Sequence, residues 1–321
     1  VGPDTASIVT DSRYYGRVRR EAPGFVLVEA GNQMYSTLEE TVMKMGAHRV
    51  GFEAHVVTVE AFERLREAVP DVEWVPAGPV VDSLRAIKDE DEIDAIARAA
   101  AITDRAMAWA YNEAAPGMTE VELAWGLEVF IREAGAEALA FDTIVAAGAN
   151  GALPHHQSGH TRLAPGEPVL IDMGAKVEGY CADLTRTFSL GPASDPEFDT
   201  VWHLVDEANR RVIEGLRPGM TGRDVDAIAR DHIAAAGFGD AFGHGLGHGV
   251  GLNIHELPRV NAAAGDVVLE TGMVVTIEPG VYLPDRFGIR IEDLAVIRPD
   301  GLQVLSSALK MPTSEPTAAQ E

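Results

Sequence analysis

The tetrapeptide Pro116-Gly117-Met118-Thr119 returns as Pro218-Gly219-Met220-Thr221, 102 residues further along the chain. Asp104 and Asp206, Ala106 and Ala208, and Gly135 and Gly237 keep the same spacing. Beyond them, Gly166-Glu167-Pro168-Val169-Leu170-Ile171-Asp172-Met173-Gly174 aligns with Gly272-Met273-Val274-Val275-Thr276-Ile277-Glu278-Pro279-Gly280. Each copy reads as helix, Pro-Gly-Met-Thr, helix, then strands. Solenoid units run to about 20–50 residues, so a period near a hundred is too long for one. The repeat predicts two αβ halves related by a pseudo-twofold axis.

The rest of the chain arranges itself around that pair. Residues 1–82 read as a small α/β unit with strands at Ser7-Ile8-Val9-Thr10, Gly24-Phe25-Val26-Leu27-Val28 and His48-Arg49-Val50-Gly51-Phe52. Helices are expected at Arg13 to Arg20, Met34 to Met45 and Val59 to Val69. The unit opens directly at a strand, as if its first elements were missing. Trp74-Val75-Pro76-Ala77-Gly78-Pro79 breaks the pattern and reads as a linker. A long helix follows, capped by Asp89 or Asp91, with Ile93, Ile96, Ala97, Ala100 and Met107 as its apolar face. The catalytic part is expected over 83–311, and the polar, alanine-rich 312–321 as a disordered tail.

Net charge is −24, from 26 basic and 50 acidic side chains. That balance argues against nucleic acid and against an anionic membrane as partners. No apolar run approaches the roughly 20 residues of a membrane-spanning helix. The single cysteine, Cys181, allows no internal disulfide and fits a reducing, cytoplasmic setting.

Three histidines and five glycines crowd the stretch from Gly243 to Glu256, in a chain with 10 histidines. Glycine lets the backbone approach closely and turn sharply, so the imidazoles can be aimed from an irregular segment. Four carboxylates complete the pattern. Asp172 ends an apolar run, and a hairpin centred between Val177 and Glu178 would set it opposite Asp183. Glu278 and Glu292 are likewise symmetric about Asp285. One such acid alone would be an ordinary solvated strand end. Two pairs, in apolar strands at matching places of a repeat, repel unless protons or cations lie between them. With one imidazole they make an oxygen-rich site suited to two Mn²⁺, Co²⁺ or Zn²⁺ ions and poorly suited to a thiolate zinc site. Leu153-Pro154-His155-His156 can bring a further imidazole over that site.

In these motifs the chain resembles the metallopeptidases of the pita-bread fold, and among them the Xaa-Pro peptidases, aminopeptidase P and prolidase. The matching stretches are Leu170-Ile171-Asp172-Met173-Gly174, Asp183-Leu184-Thr185-Arg186-Thr187, His244 to Glu256, Thr276-Ile277-Glu278-Pro279-Gly280 and Gly288-Ile289-Arg290-Ile291-Glu292-Asp293. The resemblance implies an α/β fold: a pita-bread catalytic domain of two related halves behind a small N-terminal domain, commonly a homodimer. It implies that Asp172, Asp183, His248, Glu278 and Glu292 bind two divalent ions, Mn²⁺ first, with Asp183 and Glu292 as bridges. It further implies that His155, His244 and His255 contact the substrate, that Arg290 steadies the acids, and that Glu278 shuttles a proton. The reaction would be attack of a metal-activated hydroxide on the bond before a proline in second position.

Rivals within the fold are a methionine aminopeptidase and a creatinase-like C–N hydrolase, the first disfavoured by the N-terminal domain. A rival of another class is a peptide-binding module without activity, disfavoured because all five ligands are present. Dipeptidase and aminopeptidase stay open at this point. A dipeptidase must grip the carboxylate of proline, and Arg259, Arg286 and Arg290 are candidates.

Overall fold

The computed structural model describes residues 1–314, which fall into two compact units, Val1–Val81 and a second that begins at Asp82. In the first unit, Ser7–Thr10 pairs parallel with Val26–Glu29, and Arg49–Glu53 pairs parallel with Glu73–Ala77. Helices Tyr15–Glu21, Met34–Lys44 and Val59–Ala68 lie between them in sequence. The expected linker at Trp74 to Pro79 needs correction, because its first four residues belong to the strand Glu73–Ala77. A two-stranded ladder leaves an outer edge where Pro76, without an N–H, is tolerated. Trp74 meanwhile packs against the small core of Val42, Val69 and Val72.

In the second unit the helix Glu90–Glu113 has its N-terminus closed by a reciprocal bond pair between Asp89 and Glu92. The unit's two halves repeat one design. Helices Glu90–Glu113 and Glu120–Glu133 serve the first, Phe198–Gly215 and Gly222–Ala235 the second. The Pro-Gly-Met-Thr motif is the joint within each pair. Gly117 and Gly219 take φ of 91° and 95°, a conformation that favours glycine. Thr119 and Thr221 then cap the next helix, returned by Glu122 and Asp224. The Gly117 and Gly219 amides donate to Leu163 and Leu269, each at 2.8 Å.

Each half contributes a sheet. The first runs Thr313–Ser314, Leu184–Leu190, Pro168–Met173, Ile144–Ala147; the second runs Glu256–Val260, Gly247–Gly249, Val274–Ile277, Asp293–Arg298, Gly301–Val304. Each sheet packs on its own helix pair. Leu123, Leu127, Ile171 and Phe188 share one core, while Val205, Val212, Val225 and Ile277 share another.

The registers decide where the acids fall. Ile277 faces Asp293 and Gly280 faces Arg290, so the same register sets Glu278 opposite Glu292. In the first half the expected register is displaced. Thr185, not Asp183, faces Asp172. The turn is centred between Glu178 and Gly179, which take φ of 51° and 86°. A two-residue turn with both central residues at positive φ matches the twist of its strands, and Gly179 meets that demand cheaply. Displacement by two residues keeps Asp183 on the face of Asp172, as a diagonal neighbour.

The tail expectation is also corrected in part. Thr313–Ser314 pairs parallel with the strand Leu184–Leu190, and Ser189 donates to Pro312 O at 2.8 Å. Residues 315–321 lie outside the described residues.

Candidate active site

Four strand ends converge on one cavity of about 890 Å³. Asp172 comes from the strand Pro168–Met173, whose run Val169-Leu170-Ile171 is buried, with Val169 and Ile171 in the first core. Asp183 precedes the strand Leu184–Leu190, Glu278 follows Val274–Ile277, and Glu292 sits between Phe287–Arg290 and Asp293–Arg298. Oxygens of Asp172, Asp183 and Glu292 lie within 4.8 Å of one another. His248, on the short strand Gly247–Gly249, brings Nε2 to 3.4 Å from Glu278 Oε1 and 3.6 Å from Asp183 Oδ2.

Hydrogen bonds fix these groups from behind. His248 Nδ1 donates to Gly249 O at 3.1 Å, which leaves the Nε2 lone pair facing the acids. Thr276 Oγ1 accepts from His248 N and donates to Glu278 Oε1, both at 3.0 Å. Thr185 Oγ1 donates to Glu292 Oε2 at 2.6 Å and accepts from Arg290 Nε at 3.0 Å. Arg290 also donates to Asp172 Oδ2 at 2.6 Å and to the Tyr282 hydroxyl at 2.9 Å. Asn209 Nδ2 donates to Ile277 O at 2.8 Å, tying down the residue just before Glu278.

His155, His244 and His255 line the same cavity, and the rings of His248 and His255 are 4.4 Å apart. His244 differs from the other two. Its Nδ1 donates to Gly245 O at 2.7 Å, so Nε2 accepts from the Tyr282 hydroxyl at 2.8 Å. Both nitrogens are spent, and only C–H edges remain for a ligand. Burial holds the His244 pKa down at about 4, so the ring is neutral. The sequence reading singled out neither Tyr282 nor Asn209, and their letters carry no sign of these roles. Thr185 and Thr276 stand inside the matching motifs, with no role of their own assigned from sequence.

Residues 94–299 match metallopeptidase family M24, and residues 1–87 match the creatinase/prolidase N-terminal domain. The chain belongs to family M24. It is therefore a metallopeptidase, a hydrolase. An Xaa-Pro dipeptidase of Pyrococcus furiosus is 36% identical over 307 residues, spanning 95% of this chain and 86% of that protein. The structure of an Xaa-Pro dipeptidase from Bacillus anthracis superposes with a TM-score of 0.94 at 37% identity, covering 98% of this chain and 87% of that one. An X-Pro aminopeptidase from Thermotoga maritima gives 0.89 at 37% identity, covering 97% and 88%.

In this M24 peptidase the donor set fits divalent cations. Asp172 Oδ1 and Glu292 Oε1 are buried and have no hydrogen-bond partner among the described residues, an expense a bound cation removes. Without cations the acids crowd one another. Burial, then Glu292, pushes the Asp183 carboxyl well above its usual range; burial, then Glu278, does the same to Glu292. Burial raises Glu278 to about 7.

These shifts have a sign in stability. Each raised carboxyl holds its proton more tightly folded than unfolded, so the metal-free fold loses stability as pH rises from the unfolded value of 4.5 through about 7 for Glu278. The melting temperature of chelated protein should fall by on the order of 5–10 °C between about pH 5 and about pH 7.5. Cation loading should flatten the slope. A melting temperature of chelated protein that stays level over this range would contradict the crowding.

Proposed function

We propose that the chain is an Xaa-Pro dipeptidase using two divalent cations. Asp172, Asp183 and Glu292 would hold one, His248 and Glu278 the other, with Asp183 and Glu292 reaching both. All-oxygen donors plus one imidazole favour Mn²⁺, with Co²⁺ and Zn²⁺ as substitutes. When bound, such ions supply a hydroxide nucleophile near neutral pH and a Lewis acid for the carbonyl oxygen.

The protein's own groups do the rest. His255 is neutral near pH 7, because burial lowers its pKa, and it can donate one N–H to the carbonyl oxygen. Glu278 can carry a proton to the departing prolyl nitrogen. That nitrogen is tertiary in the peptide, with no N–H to grip, so recognition must come from the ring and the carboxylate. The C–H edges of His244 offer an apolar surface for the ring, and His155, on the same cavity wall, can contact the substrate near the scissile carbonyl.

The observation that carries the dipeptidase reading is Arg259. It lines the cavity, is exposed, and its side chain has no hydrogen bond or ion pair among the described residues. Of the arginines considered, Arg286 is engaged by Asp195 at 2.6 Å and Glu197 at 2.7 Å, and Arg290 serves Asp172 and Tyr282. Only Arg259 is left with a fork of N–H groups for a substrate carboxylate.

The test is hydrolysis of Ala-Pro beside Ala-Pro-Ala, after chelation and after adding back Mn²⁺, Co²⁺ or Zn²⁺. Metal-dependent cleavage of Ala-Pro, with Ala-Pro-Ala spared, is the expected result. Efficient cleavage of the longer peptide would make the enzyme an aminopeptidase.

A further inference from the structure

Glu120 opens the helix Glu120–Glu133, yet it is 0% exposed and plays no part in capping that helix, which Thr119 and Glu122 do. Its carboxylate accepts four bonds. Oε1 takes the Ala147 amide and Asn150 Nδ2, both at 2.8 Å. Oε2 takes His156 Nε2 and the Gly159 amide, both at 2.9 Å. Burial alone would raise this carboxyl, but the donors outweigh it and hold its pKa below the ordinary value. It is thus an ionised group at neutral pH, fully satisfied by N–H groups.

The donors bracket one segment. Ala147 and Gly159 are its two ends, and Asn150 and His156 lie within it. Between them is His155, next in sequence to His156. His156 turns to Glu120 while His155 lines the active-site cavity. On its other side the segment lies against the strand that carries Arg290. A Cβ added to Gly151 would stand 3.2 Å from Gly288 N, and Arg290 Nη1 reaches Pro154 O at 3.5 Å. The second half has no carboxylate at the corresponding position. The residue after the capping threonine of the second half is Gly222, where an added Cβ would meet Arg259 O at 2.3 Å.

We propose that Glu120 is a positioning residue of this enzyme: it clamps residues 147–159 and thereby fixes His155 at the cavity wall. The inference rests on the reading that His155 contacts substrate.

The experiment is a mutant cycle on Mn²⁺-loaded enzyme with Ala-Pro, using Glu120→Gln, His155→Ala and both together. Glutamine keeps the shape but turns two of the acceptor sites into N–H donors facing N–H donors. The expected result is a loss of kcat of about 10–100-fold in Glu120→Gln, the cost of misplacing a catalytic group by about an ångström, with KM changed by less than about 3-fold. Added to His155→Ala, the same substitution should cost less than about 3-fold more. Full additivity, or a loss only in KM, would overturn the clamp. Wild-type activity in His155→Ala would instead overturn the substrate contact beneath it. If Glu120→Gln does not fold, His156→Ala replaces it in the cycle. It removes one donor of four and should lower kcat by about 5–10-fold, again only where His155 is present.

Discussion

Glu292→Gln, assayed at saturating Mn²⁺, is expected to lower kcat by at least about 10³-fold while the fold persists. Glutamine is nearly isosteric and can still accept the Thr185 hydroxyl that now meets Glu292 Oε2 at 2.6 Å. What it cannot do is offer two anionic oxygens to the pair of cations proposed for this site. Oε1 of Glu292, unpartnered among the described residues, is the atom the substitution spoils. Losing a single oxyanion-hole donor costs about 10²–10³ in other hydrolytic sites, and a weakened cation, which supplies both nucleophile and Lewis acid, should cost at least as much. Asp183→Asn should behave alike. Stability should move the other way. Both acids sit where burial and like charge drive their carboxyls up, so a neutral amide relieves strain in the metal-free protein. Chelated Glu292→Gln should therefore melt no lower than chelated parent at about pH 7.5. The checks are kcat on Ala-Pro, metal content after dialysis and a melting curve. Normal turnover at saturating metal would end the bridging assignment, and a collapsed melting curve would reduce the lost activity to lost structure.

Arg259→Met should raise KM for Ala-Pro by about 30–100-fold, with kcat falling by less than about 5-fold. A hydrogen bond to a charged group is worth about 1.5–3 kcal/mol, and every 1.4 kcal/mol is a factor of ten in affinity. Methionine keeps much of the apolar stem, and no partner among the described residues is stranded by the change, so the fold should be untouched. The effect should depend on the substrate. Prolinamide has no carboxylate, so Ala-prolinamide, a poor substrate from the start, should lose less than about 3-fold. Equal losses on Ala-Pro and Ala-prolinamide would show that Arg259 shapes the cavity rather than reading the carboxylate.

The architecture was legible because its cause is local. Apolar runs that end in acids, and a glycine shortly before a threonine, lie in single stretches of sequence, and their return later in the chain is read by comparing two such stretches. The second hairpin was legible too, since Asp285 is its true centre. The first was misread by one position, because the letters Val177-Glu178-Gly179 do not say which residues take positive φ. Trp74 to Pro79 misled through its prolines, whose effect depends on whether a ladder is open at one edge. The strand Thr313–Ser314 was hidden in a polar tail, for only the partner Leu184–Leu190 makes it a strand. Within the candidate site, the acids and imidazoles stood out by chemistry. The groups behind them did not. Glu120 and Asn209 act through partners 27 or more residues away and Tyr282 through His244, 38 away, and nothing in their own neighbourhoods announces it.

The cavity is stitched across the repeat. Thr185 meets Glu292 over 107 positions of chain, and Asp172 meets Arg290 over 118. Closing loops of that length is entropically costly, and the contacts that reward it exist only once both sheets are in place. Each half has a core of its own and can gather around it early. The cleft has no such independence. A state with only one half ordered would lack it, because each of these bonds needs a residue from both.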